Sequence, residues 1–458
     1  MKIEINPVSR IEGHAKVTIF LDSSGKVENA FFQATEFRGY EKILSGLPME
    51  EVPRVVSTIC GICRAIHFTA ALKAADQVFG VEASDAAKIV REMLLCAHFI
   101  EDHTLSLLAL ALPDFLSPEE RNIFGVIRNL GELGRELLRK RGYAVRILQI
   151  LGGRNIHPVT ALPGGWAKAP TDEELGLIER YSRELLDLGY RMVEVLEAAL
   201  DMGDGLELRA ATLGTEKKGL VNLYDGEQVV KDEDGREVIR FSGKEYADII
   251  TEKSLSWSYS KLTEIKPLGE KLYVVGPLAR LKTAELTPKA SEIVKTYGVS
   301  NNLLYNHFAR AVEIIYAAER LLELSQSYRG GRIQNEPQKV AGEGVGIVEA
   351  PRGTLIHHYW TDEKGIVRGS NLIVATTHNV RAINHVVGKV AERASDTRNL
   401  AEKVEVAIRA FDPCMACATH AVNGVIPLEI QIFRDGELEE VYRNYEESCC
   451  GSGQSPHS

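Results

Sequence analysis

The chain has 458 residues, of which 45% are hydrophobic and 26% are charged, and its formal net charge is -10. At roughly 100–200 residues per domain, this length allows two to four lobes, and no basic run indicates nucleic-acid binding. The N-terminus lacks the pattern of a secretion signal, and no apolar run reaches the roughly 18 residues of a membrane helix. These features predict a cytoplasmic protein with no membrane span and no nucleic-acid partner.

The first two regions differ in the period of their apolar residues. Residues 1–58 are predicted to be a β region, because Ala15–Leu21 and Val27–Ala34 alternate apolar and polar side chains around a Ser-Ser-Gly turn. Residues 59–205 show the helical period instead. A Thr-Asp-Glu-Glu capping box at residues 171–174 precedes a long amphipathic run, which predicts the start of a long helix.

The remaining regions complete a mainly helical chain. Residues 206–298 contain turn dipeptides between short strand-like runs, so mixed α/β structure is expected there. In residues 299–420 apolar side chains recur at three- and four-residue steps, and residues 421–458 form a C-terminal extension with a second hairpin pattern. The predicted fold is α+β and mainly α-helical: a central bundle of long helices, an N-terminal antiparallel hairpin or sheet and a mixed α/β excursion.

Four of the seven cysteines form two CxxC pairs, Cys60 with Cys63 and Cys414 with Cys417. Together the pairs supply four thiolate ligands, which is the donor set of many structural zinc sites. Zinc ribbons, however, usually keep their pairs about 15–20 residues apart, whereas these pairs lie near opposite ends of the chain. The spacing favours a buried thiolate metal centre that closes the whole fold, and it leaves structural zinc and an iron–sulfur cluster as alternatives.

The other cysteines do not extend this donor set. Cys96 lies alone in an apolar helical stretch, where a thiol usually acts as a small buried hydrophobic group, and Cys449 and Cys450 are neighbours in a polar tail. These residues cannot hold a chain of iron–sulfur clusters. A redox centre in this chain would therefore need a separate subunit to carry electrons away.

Polar residues flank both pairs, although structural zinc requires none of them. His67 follows the first pair by one helical turn and lies within reach of a sulfur as a hydrogen-bond donor. Asp412 precedes the second pair, and His420 follows it. These flanking groups favour a metal centre whose surroundings also take part in chemistry.

Five motifs resemble those of nickel–iron hydrogenase large subunits, in the family's order and over essentially the first 420 residues. They are RIEGH at 10–14, FRGYE at 37–41, CGIC at 60–63 with His67, EAPRG at 349–353 and DPCMACATH at 412–420. Residues 152–158 and 346–355 are most similar to the cytoplasmic, multimeric, cofactor-coupled branches of that family, which are of the NAD-reducing, F420-reducing and heterodisulfide-reductase-linked types.

Two positions beside the first pair depart from the family's pattern. Thr58 stands where relatives usually have Arg, and Arg64 stands where relatives of this branch usually have Pro or a small residue. Neither position is a predicted metal ligand. Five histidines are expected to be ordinary core or surface residues: His14, His157, His307, His357 and His358.

The resemblance implies a nickel ion that is bound by Cys60, Cys63, Cys414 and Cys417. Cys63 and Cys417 would bridge nickel to an iron that carries carbon monoxide and two cyanides supplied by maturation enzymes. Soft thiolates suit such metals. The implied reaction is the reversible heterolytic cleavage of H2 to protons and electrons, which needs a hydride acceptor and a nearby base.

Glu12, Arg352 and Cys417 are the implied catalytic residues. Cys417 and Arg352 are candidate bases, but a guanidinium normally stays protonated, so Arg352 is expected to act mainly through its charge. Glu12 is expected to be the first proton relay, with its carboxyl group close to Cys417. Arg352 and Thr376 are expected to hydrogen-bond the cyanides, whose nitrogens would otherwise be unsatisfied in an apolar pocket, and Asp412 is expected to orient Arg352.

The resemblance also implies a second metal and several partners. Glu41 and His420 would bind magnesium, for which a carboxylate is a usual ligand and a histidine is not. A maturation protease would cut after His420 and release residues 421–458. The other implied partners are H2, an iron–sulfur small subunit that holds the clusters, and electron-acceptor subunits of the flavin or heterodisulfide-reductase type.

Two other classes of protein share some of these features. A hydrogenase-like subunit of a respiratory complex shares the fold but generally lacks the cysteine pairs. A structural zinc-binding interaction protein would use the four cysteines without redox chemistry.

Overall fold

The computed structural model describes residues 2–23, 26–200, 206–393, 399–419, 429–434 and 437–443. Its α-helices are α1 (Tyr40–Ile43), α2 (Val52–Val56), α3 (Arg64–Val78), α4 (Asp85–Leu105), α5 (Ile123–Leu130), α6 (Glu132–Gly152), α7 (Asp172–Leu200), α8 (Tyr246–Ile249), α9 (Pro277–Thr283), α10 (Pro288–Tyr297), α11 (Tyr305–Ser327), α12 (Ala375–Arg393), α13 (Leu400–Phe411) and α14 (Met415–Ala418).

The strands form small sheets around these helices. They are β1 (Lys2–Ile5), β2 (Ala15–Leu21), β3 (Val27–Ala34), β4 (Ala161–Leu162), β5 (Gly165–Trp166), β6 (Ala211–Lys217), β7 (Leu220–Val221), β8 (Glu227–Lys231), β9 (Glu237–Phe241), β10 (Ile250–Leu255), β11 (Ser258–Ile265), β12 (Tyr273–Val274), β13 (Glu343–Ala350), β14 (Gly353–Thr361), β15 (Val367–Ile373), β16 (Glu429–Arg434) and β17 (Glu437–Arg443).

Helices α4, α6, α7 and α11 form the central bundle, in which α11 packs against both α7 and α4. The predicted capping box begins α7: the main-chain N–H of Glu174 donates to the Thr171 hydroxyl at 3.2 Å, and the N–H of Thr171 donates to the Glu174 carboxylate at 2.9 Å. Both bonds satisfy donors that have no partner within the helix. The helical prediction for this region is confirmed.

Helix α4 lies at the centre of the bundle, which explains its composition. It continues as a π-helical segment, Ser106–Ala111, and then as a 3-10 helical segment, Leu112–Phe115. The whole stretch Asp85–Phe115 has the length and hydropathy of a membrane span. However, 83% of its most apolar window is buried inside the protein. A helix that is buried on all sides is apolar all round, so burial within the bundle accounts for this hydropathy.

The sheets confirm the predicted β regions. Strands β1, β2 and β3 form an antiparallel sheet in that order, and β3 packs against α12. Between residues 206 and 298, the order β12-β6-β8-β9 combines one parallel pair with antiparallel pairs, as expected for mixed structure. The C-terminal hairpin pattern corresponds to the antiparallel pair β16 and β17, whose turn residues 435 and 436 lie outside the described residues.

Two glycines of β13 allow this strand to lie directly against α3. A Cβ added at Gly344 would meet the carbonyl oxygen of Ala74 at 2.0 Å, and one added at Gly346 would meet that of Ala70 at 1.9 Å. Both distances are far below van der Waals contact, so only glycine fits. The contact brings the first cysteine pair, which precedes α3, close to the turn at the end of β13.

Gly346→Ala is therefore expected to destabilise the protein by about 1–3 kcal/mol, the usual cost of overpacking. Gly176→Ala is the matched control, because Gly176 lies exposed on α7 and nothing lies within 4 Å of its added Cβ. The control is expected to be neutral or stabilised by up to about 1 kcal/mol. Urea unfolding followed by circular dichroism measures both changes, and equal stabilities would contradict a tight contact between α3 and β13.

Candidate metal centre

The fold brings the two cysteine pairs together in its interior. Cys60 and Cys63 lie in the connection that leads into α3, and Cys414 and Cys417 lie at and within α14. All four are buried, and their Sγ atoms lie within 4.8 Å of one another. They form the one group of potential metal ligands found among the described residues. The predicted closure of the fold by sulfur ligands is confirmed.

The spacing of the sulfurs fits a shared metal centre. Cys414 Sγ lies 3.5 Å from Cys60 Sγ, 3.8 Å from Cys63 Sγ and 2.8 Å from Cys417 Sγ. Metal–sulfur bonds of about 2.3 Å in tetrahedral geometry place the ligands roughly 3.8 Å apart. The two distances that join one pair to the other, 3.5 and 3.8 Å, therefore match the separation that ligands of one centre require. The distance within the second pair, 2.8 Å, is shorter.

Without bound metal, this buried site does not favour the thiolate form of all four cysteines. Burial raises the pKa of the Cys414 and Cys417 thiols well above the ordinary value. Hydrogen bonds from Cys414, Cys417 and Cys63 lower the pKa of Cys60. Four thiolates would therefore need bound cations, and metal binding would release the remaining thiol protons.

Main-chain pairing with the N-terminal motif fixes the second cysteine pair. Glu12 and Cys414 form a parallel bridge, and the N–H of Met415 donates to the carbonyl oxygen of Glu12 at 2.9 Å. Gly13 has a φ of +75°, and an added Cβ would meet the nitrogen of Ala416 at 2.9 Å. The glycine of RIEGH therefore allows the two segments to meet.

The Glu12 carboxylate contacts the metal centre at a different sulfur from the one expected. Its Oε2 lies 3.0 Å from Cys414 Sγ and accepts a hydrogen bond from the N–H of Ala416 at 3.0 Å. Glu12 was expected close to Cys417, whose Sγ lies 2.8 Å from that of Cys414; the main-chain bridge places the direct contact at Cys414. Burial and the negative charge of Cys60 raise the pKa of Glu12.

Arg352 lies in the turn between β13 and β14 and reaches the first cysteine pair. Its Nη1 lies 3.3 Å from Cys63 Sγ and 3.0 Å from the Asp102 carboxylate. Its Nη2 lies 3.1 Å from the Asp412 carboxylate, and its Nε donates to the carbonyl oxygen of Asp412 at 2.8 Å. Asp412 thus contacts Arg352 through both its carboxylate and its main-chain carbonyl, as an orienting role requires.

The surroundings of Arg352 favour its cationic form. Burial alone would lower the pKa of Arg352, but the charges of Asp102 and Asp412 outweigh burial and raise it well above the ordinary value. A guanidinium held in this way does not accept a proton. The geometry therefore favours an electrostatic role for Arg352 over a role as base.

Asp102 was not predicted as a site residue. It is fully buried on α4, and desolvation raises its pKa to about 7 despite the opposing charge of Arg352. Its neighbour Glu101 is also buried and pairs with Arg141 and, at 3.4 Å, with Arg64. A Glu-Asp-His run at 101–103 within an otherwise apolar helix is a signal that could have identified this cluster.

A second buried ion network supports the turn that carries Arg352. Arg280 pairs with Glu313 at 2.6 Å and with Glu349 at 2.7 Å, and it donates to the carbonyl oxygens of Ala350 and Pro351. Desolvation would raise the pKa of Glu313, but Arg280 outweighs it and lowers the value to about 2. This network fixes the main chain on the N-terminal side of Arg352.

His67 contacts the second cysteine pair. Its Nε2 lies 3.3 Å from Cys417 Sγ, so the predicted contact with a sulfur is confirmed, although the sulfur belongs to the other pair. Its Nδ1 lies 3.0 Å from Nε2 of His357, whose Nδ1 lies 2.6 Å from the Tyr359 hydroxyl. His357 was expected to be an ordinary core or surface histidine. Its place in this chain of contacts depends on the pairing of β13 with β14 beside α3, which its sequence neighbours do not reveal.

The remaining histidines that were expected in core or surface positions do not contact the sulfurs. His14 lies exposed beside Glu36, and His358 faces away from His357 on the same strand. His157 contacts a main-chain carbonyl, and His307 contacts an arginine.

A small cavity adjoins the sulfurs, and Thr376 lies at its wall. The lining is mostly apolar and consists of Cys63, Ile66, His67, Ala350, Arg352, Leu355, Val374, Ala375, Thr376, Cys414 and Cys417. The Thr376 hydroxyl oxygen accepts a hydrogen bond from the N–H of Cys414 at 2.9 Å. Arg352 and Thr376 are thus two of the polar side chains that line this mostly apolar space, together with His67.

The predicted magnesium pair is described only in part. Glu41 lies on α1, and its carbonyl oxygen accepts a hydrogen bond from Ser370 at 3.4 Å. His420 lies outside the described residues, as do residues 421–428.

The two positions that depart from the family's pattern differ in exposure. Thr58 is exposed, whereas Arg64 is buried and donates to the carbonyl oxygen of Gly61 at 2.8 Å.

Comparison with known proteins agrees with this geometry. A family model described as "Nickel-dependent hydrogenase" matches residues 38–123 and 221–420. The chain belongs to the nickel-dependent hydrogenase family. A second model, described as "HoxL-like", matches residues 2–37 of this hydrogenase. The matched ranges contain the four cysteines, Glu12, Arg352 and Thr376.

Full-length relatives support the same assignment. The hydrogenase is 47% identical to an F420-non-reducing hydrogenase iron-sulfur subunit of Archaeoglobus profundus, covering 97% of this chain and all of the relative. It is 34% identical to "NAD-reducing hydrogenase HoxS subunit beta" of Cupriavidus necator, covering 94% of this chain and 97% of the relative. These relatives favour the hydrogenase prediction over the respiratory-complex and zinc alternatives.

Solved structures have the same fold. A crystal structure of an NAD+-reducing [NiFe]-hydrogenase in the H2-reduced state matches with a TM-score of 0.86 at 34% identity, covering 92% of this chain and 99% of the other. A Ni-Fe-Se hydrogenase from D. vulgaris Hildenborough matches with a TM-score of 0.76 at 24% identity. The predicted α+β, mainly helical fold is confirmed.

The geometry predicts which cysteines the metal requires. Cys60→Ser, Cys63→Ser, Cys414→Ser and Cys417→Ser each remove one soft ligand, so the nickel content of the purified enzyme is expected to fall to background. Cys96→Ala is the control, because Cys96 is buried in α4 outside the sulfur group, and it is expected to retain nickel. Elemental analysis by mass spectrometry measures both results. Full nickel occupancy in Cys417→Ser would contradict the four-sulfur site.

Proposed function

We propose that the four cysteines hold a nickel–iron centre, with Cys60 and Cys414 as terminal nickel ligands and Cys63 and Cys417 as bridges to iron. When bound, this centre supplies the metals at which H2 is cleaved heterolytically and reversibly. The observation that carries the proposal is the buried set of four sulfurs beside a small apolar cavity. Three of the four cysteines, Cys63, Cys414 and Cys417, line this cavity, so a metal held by them would lie at its wall.

The cavity suits carbon monoxide and cyanide as the remaining iron ligands. Its apolar walls exclude water, and a cyanide nitrogen in such a space needs a hydrogen-bond donor. Thr376 already accepts a hydrogen bond from Cys414, so its hydroxyl hydrogen can be donated into the cavity. Arg352 has five N–H groups and can donate another of them after pairing with Asp102 and Asp412. We assign these two side chains to the cyanides.

Glu12 is the proposed first carrier of protons from the centre. Its carboxylate lies 3.0 Å from Cys414 Sγ, within hydrogen-bonding reach, and the residue is only partly buried whereas the sulfurs are buried. Cys417 is the proposed first base, because a thiolate can take up a proton and Arg352 is held as a cation. The positive charge of Arg352, 3.3 Å from Cys63, stabilises negative charge on the sulfurs.

Electrons are proposed to leave through other subunits. Outside the metal centre, the described residues contain only one more cysteine, Cys96, which is buried in α4. An iron–sulfur small subunit would therefore hold the clusters. The relatives are named as subunits of F420-non-reducing and NAD-reducing hydrogenases, which supports further subunits in the complex. The resemblance implies acceptor subunits of the flavin or heterodisulfide-reductase type.

The resemblance supports three further assignments. Glu41 and His420 are proposed to bind magnesium and so hold the C-terminal end of the mature chain. Residues 421–458 are proposed to be a segment that the maturation protease removes. The resemblance to the cytoplasmic branches of the family supports a cytoplasmic location for the complex.

Infrared spectroscopy of the anaerobically purified native complex tests the proposed centre. One carbonyl band and two cyanide bands that shift under H2 are expected, in a spectral region where protein absorbs little. Mass spectrometry first selects preparations in which the chain is cut after His420, so that maturation is complete. A mature chain without these bands would contradict the proposal and favour a plain thiolate metal site.

Glu12→Gln tests the proton carrier. The amide keeps the size of the side chain and can still accept from Ala416, but it cannot carry a proton, so H2-dependent dye reduction is expected to fall by about 100-fold or more. The infrared bands are expected to remain, because the metal ligands are unchanged. Glu4→Gln is the control, since Glu4 lies at the surface beside Lys2. Wild-type turnover in Glu12→Gln would exclude Glu12 as the carrier.

A further inference from the structure

Three aromatic side chains extend the hydrogen bonding of the metal centre into the protein. His67 Nε2 lies 3.3 Å from Cys417 Sγ, and His67 Nδ1 lies 3.0 Å from His357 Nε2. His357 Nδ1 lies 2.6 Å from the Tyr359 hydroxyl. All three side chains are buried. His67 comes from α3 and the other two come from β14, so the close contact between α3 and this sheet creates the chain.

The sulfur end determines the direction of each hydrogen bond. Before it takes up a proton, metal-bound Cys417 is a thiolate that can only accept, so His67 must donate from Nε2. A neutral imidazole has one donor and one acceptor nitrogen, so His67 Nδ1 accepts from His357 Nε2. The Nδ1 of His357 must then accept from the Tyr359 hydroxyl.

Both rings are neutral in this arrangement. Among the described residues, neither His67 nor His357 has a carboxylate within hydrogen-bonding distance, and burial without such a partner disfavours the charged form of histidine. The rings also share one hydrogen bond, which two fully protonated rings could not form. Each proton in the chain is therefore assigned to one nitrogen or oxygen.

We propose that His357 and Tyr359 are positioning residues that hold His67 in the tautomer that donates to Cys417. The inference rests on the proposed nickel–iron function, because the effect of this hydrogen bond is transmitted through the metals. A donor to a metal-bound sulfur withdraws electron density from it, and outer hydrogen-bond partners fix the tautomer of a histidine. Without the Tyr359 hydroxyl, His357 Nδ1 can carry the proton instead. Part of the population then leaves Cys417 without its donor.

The next residue on the same strand provides a matched control. His358 points to the opposite face of β14, where its Nδ1 lies 2.8 Å from the Tyr246 hydroxyl and its Nε2 lies 2.8 Å from Glu343. Tyr246→Phe thus removes the same kind of hydroxyl from the same kind of tyrosine–histidine pair. His358 is outside the set of side chains that contact the sulfurs.

The test compares wild-type, Tyr359→Phe and Tyr246→Phe enzymes as mature, anaerobically purified complexes. In Tyr359→Phe the carbonyl infrared band is expected to move to lower wavenumber, because the metals regain electron density, while the nickel content equals that of the wild type. In Tyr246→Phe the band is expected to stay in place. His357→Phe is expected to shift the band in the same direction as Tyr359→Phe, and His358→Phe is expected to leave it unchanged.

Three results would overturn the positioning role: an unchanged carbonyl band in Tyr359→Phe, an equal shift in Tyr246→Phe, or loss of nickel from Tyr359→Phe. Tyr359→Phe decides the matter even if His357→Phe does not fold, because it removes a single oxygen atom. Failure of the nickel–iron assignment gives a different result, since the mature wild-type enzyme would then lack the carbonyl band altogether.

Discussion

Four sulfur atoms within 4.8 Å of one another in a buried site are the constraint on which the rest of the structure depends. Like charges at this separation repel strongly where water is excluded, and burial raises the pKa of the Cys414 and Cys417 thiols. Cations must compensate these charges. Metals held by the four cysteines would supply positive charge, and the buried guanidinium of Arg352 adds a fixed positive charge beside Cys63.

The buried positive charge of Arg352 requires negatively charged partners in the interior of the protein. Arg352 is paired with Asp102 and Asp412, and the turn that carries it is held by Arg280 between Glu313 and Glu349. Removing one member of such a buried set leaves an uncompensated charge, which is strongly destabilising. The polar network therefore explains why the central helix α4, apolar over most of its length, carries buried acidic residues beside the metal centre.

The sulfurs of the second pair have distinct polar neighbours. Cys414 contacts the Glu12 carboxylate, which comes from the N-terminal segment, and Cys417 contacts His67, which comes from α3. The first contact suits movement of a proton, because the carboxyl group is only partly buried. The second suits a fixed donor, because His67 continues into a fully buried chain that ends at Tyr359. The two sulfurs thus differ in their hydrogen-bonding partners, although they lie only 2.8 Å apart.

The sequence by itself determined the fold class, the helical and strand regions and the four sulfur ligands, because periodicity and CxxC spacing are local patterns. The capping box at Thr171 and strands β2 and β3 of the first sheet follow the predicted residues. Only the tertiary structure decided which side chains meet across the site. Glu12 contacts Cys414 because of a main-chain bridge, while Asp102 and His357 reach the centre because α4 and β14 pack beside it. Such contacts join residues that lie up to about 400 positions apart, and no local pattern specifies the distance between them.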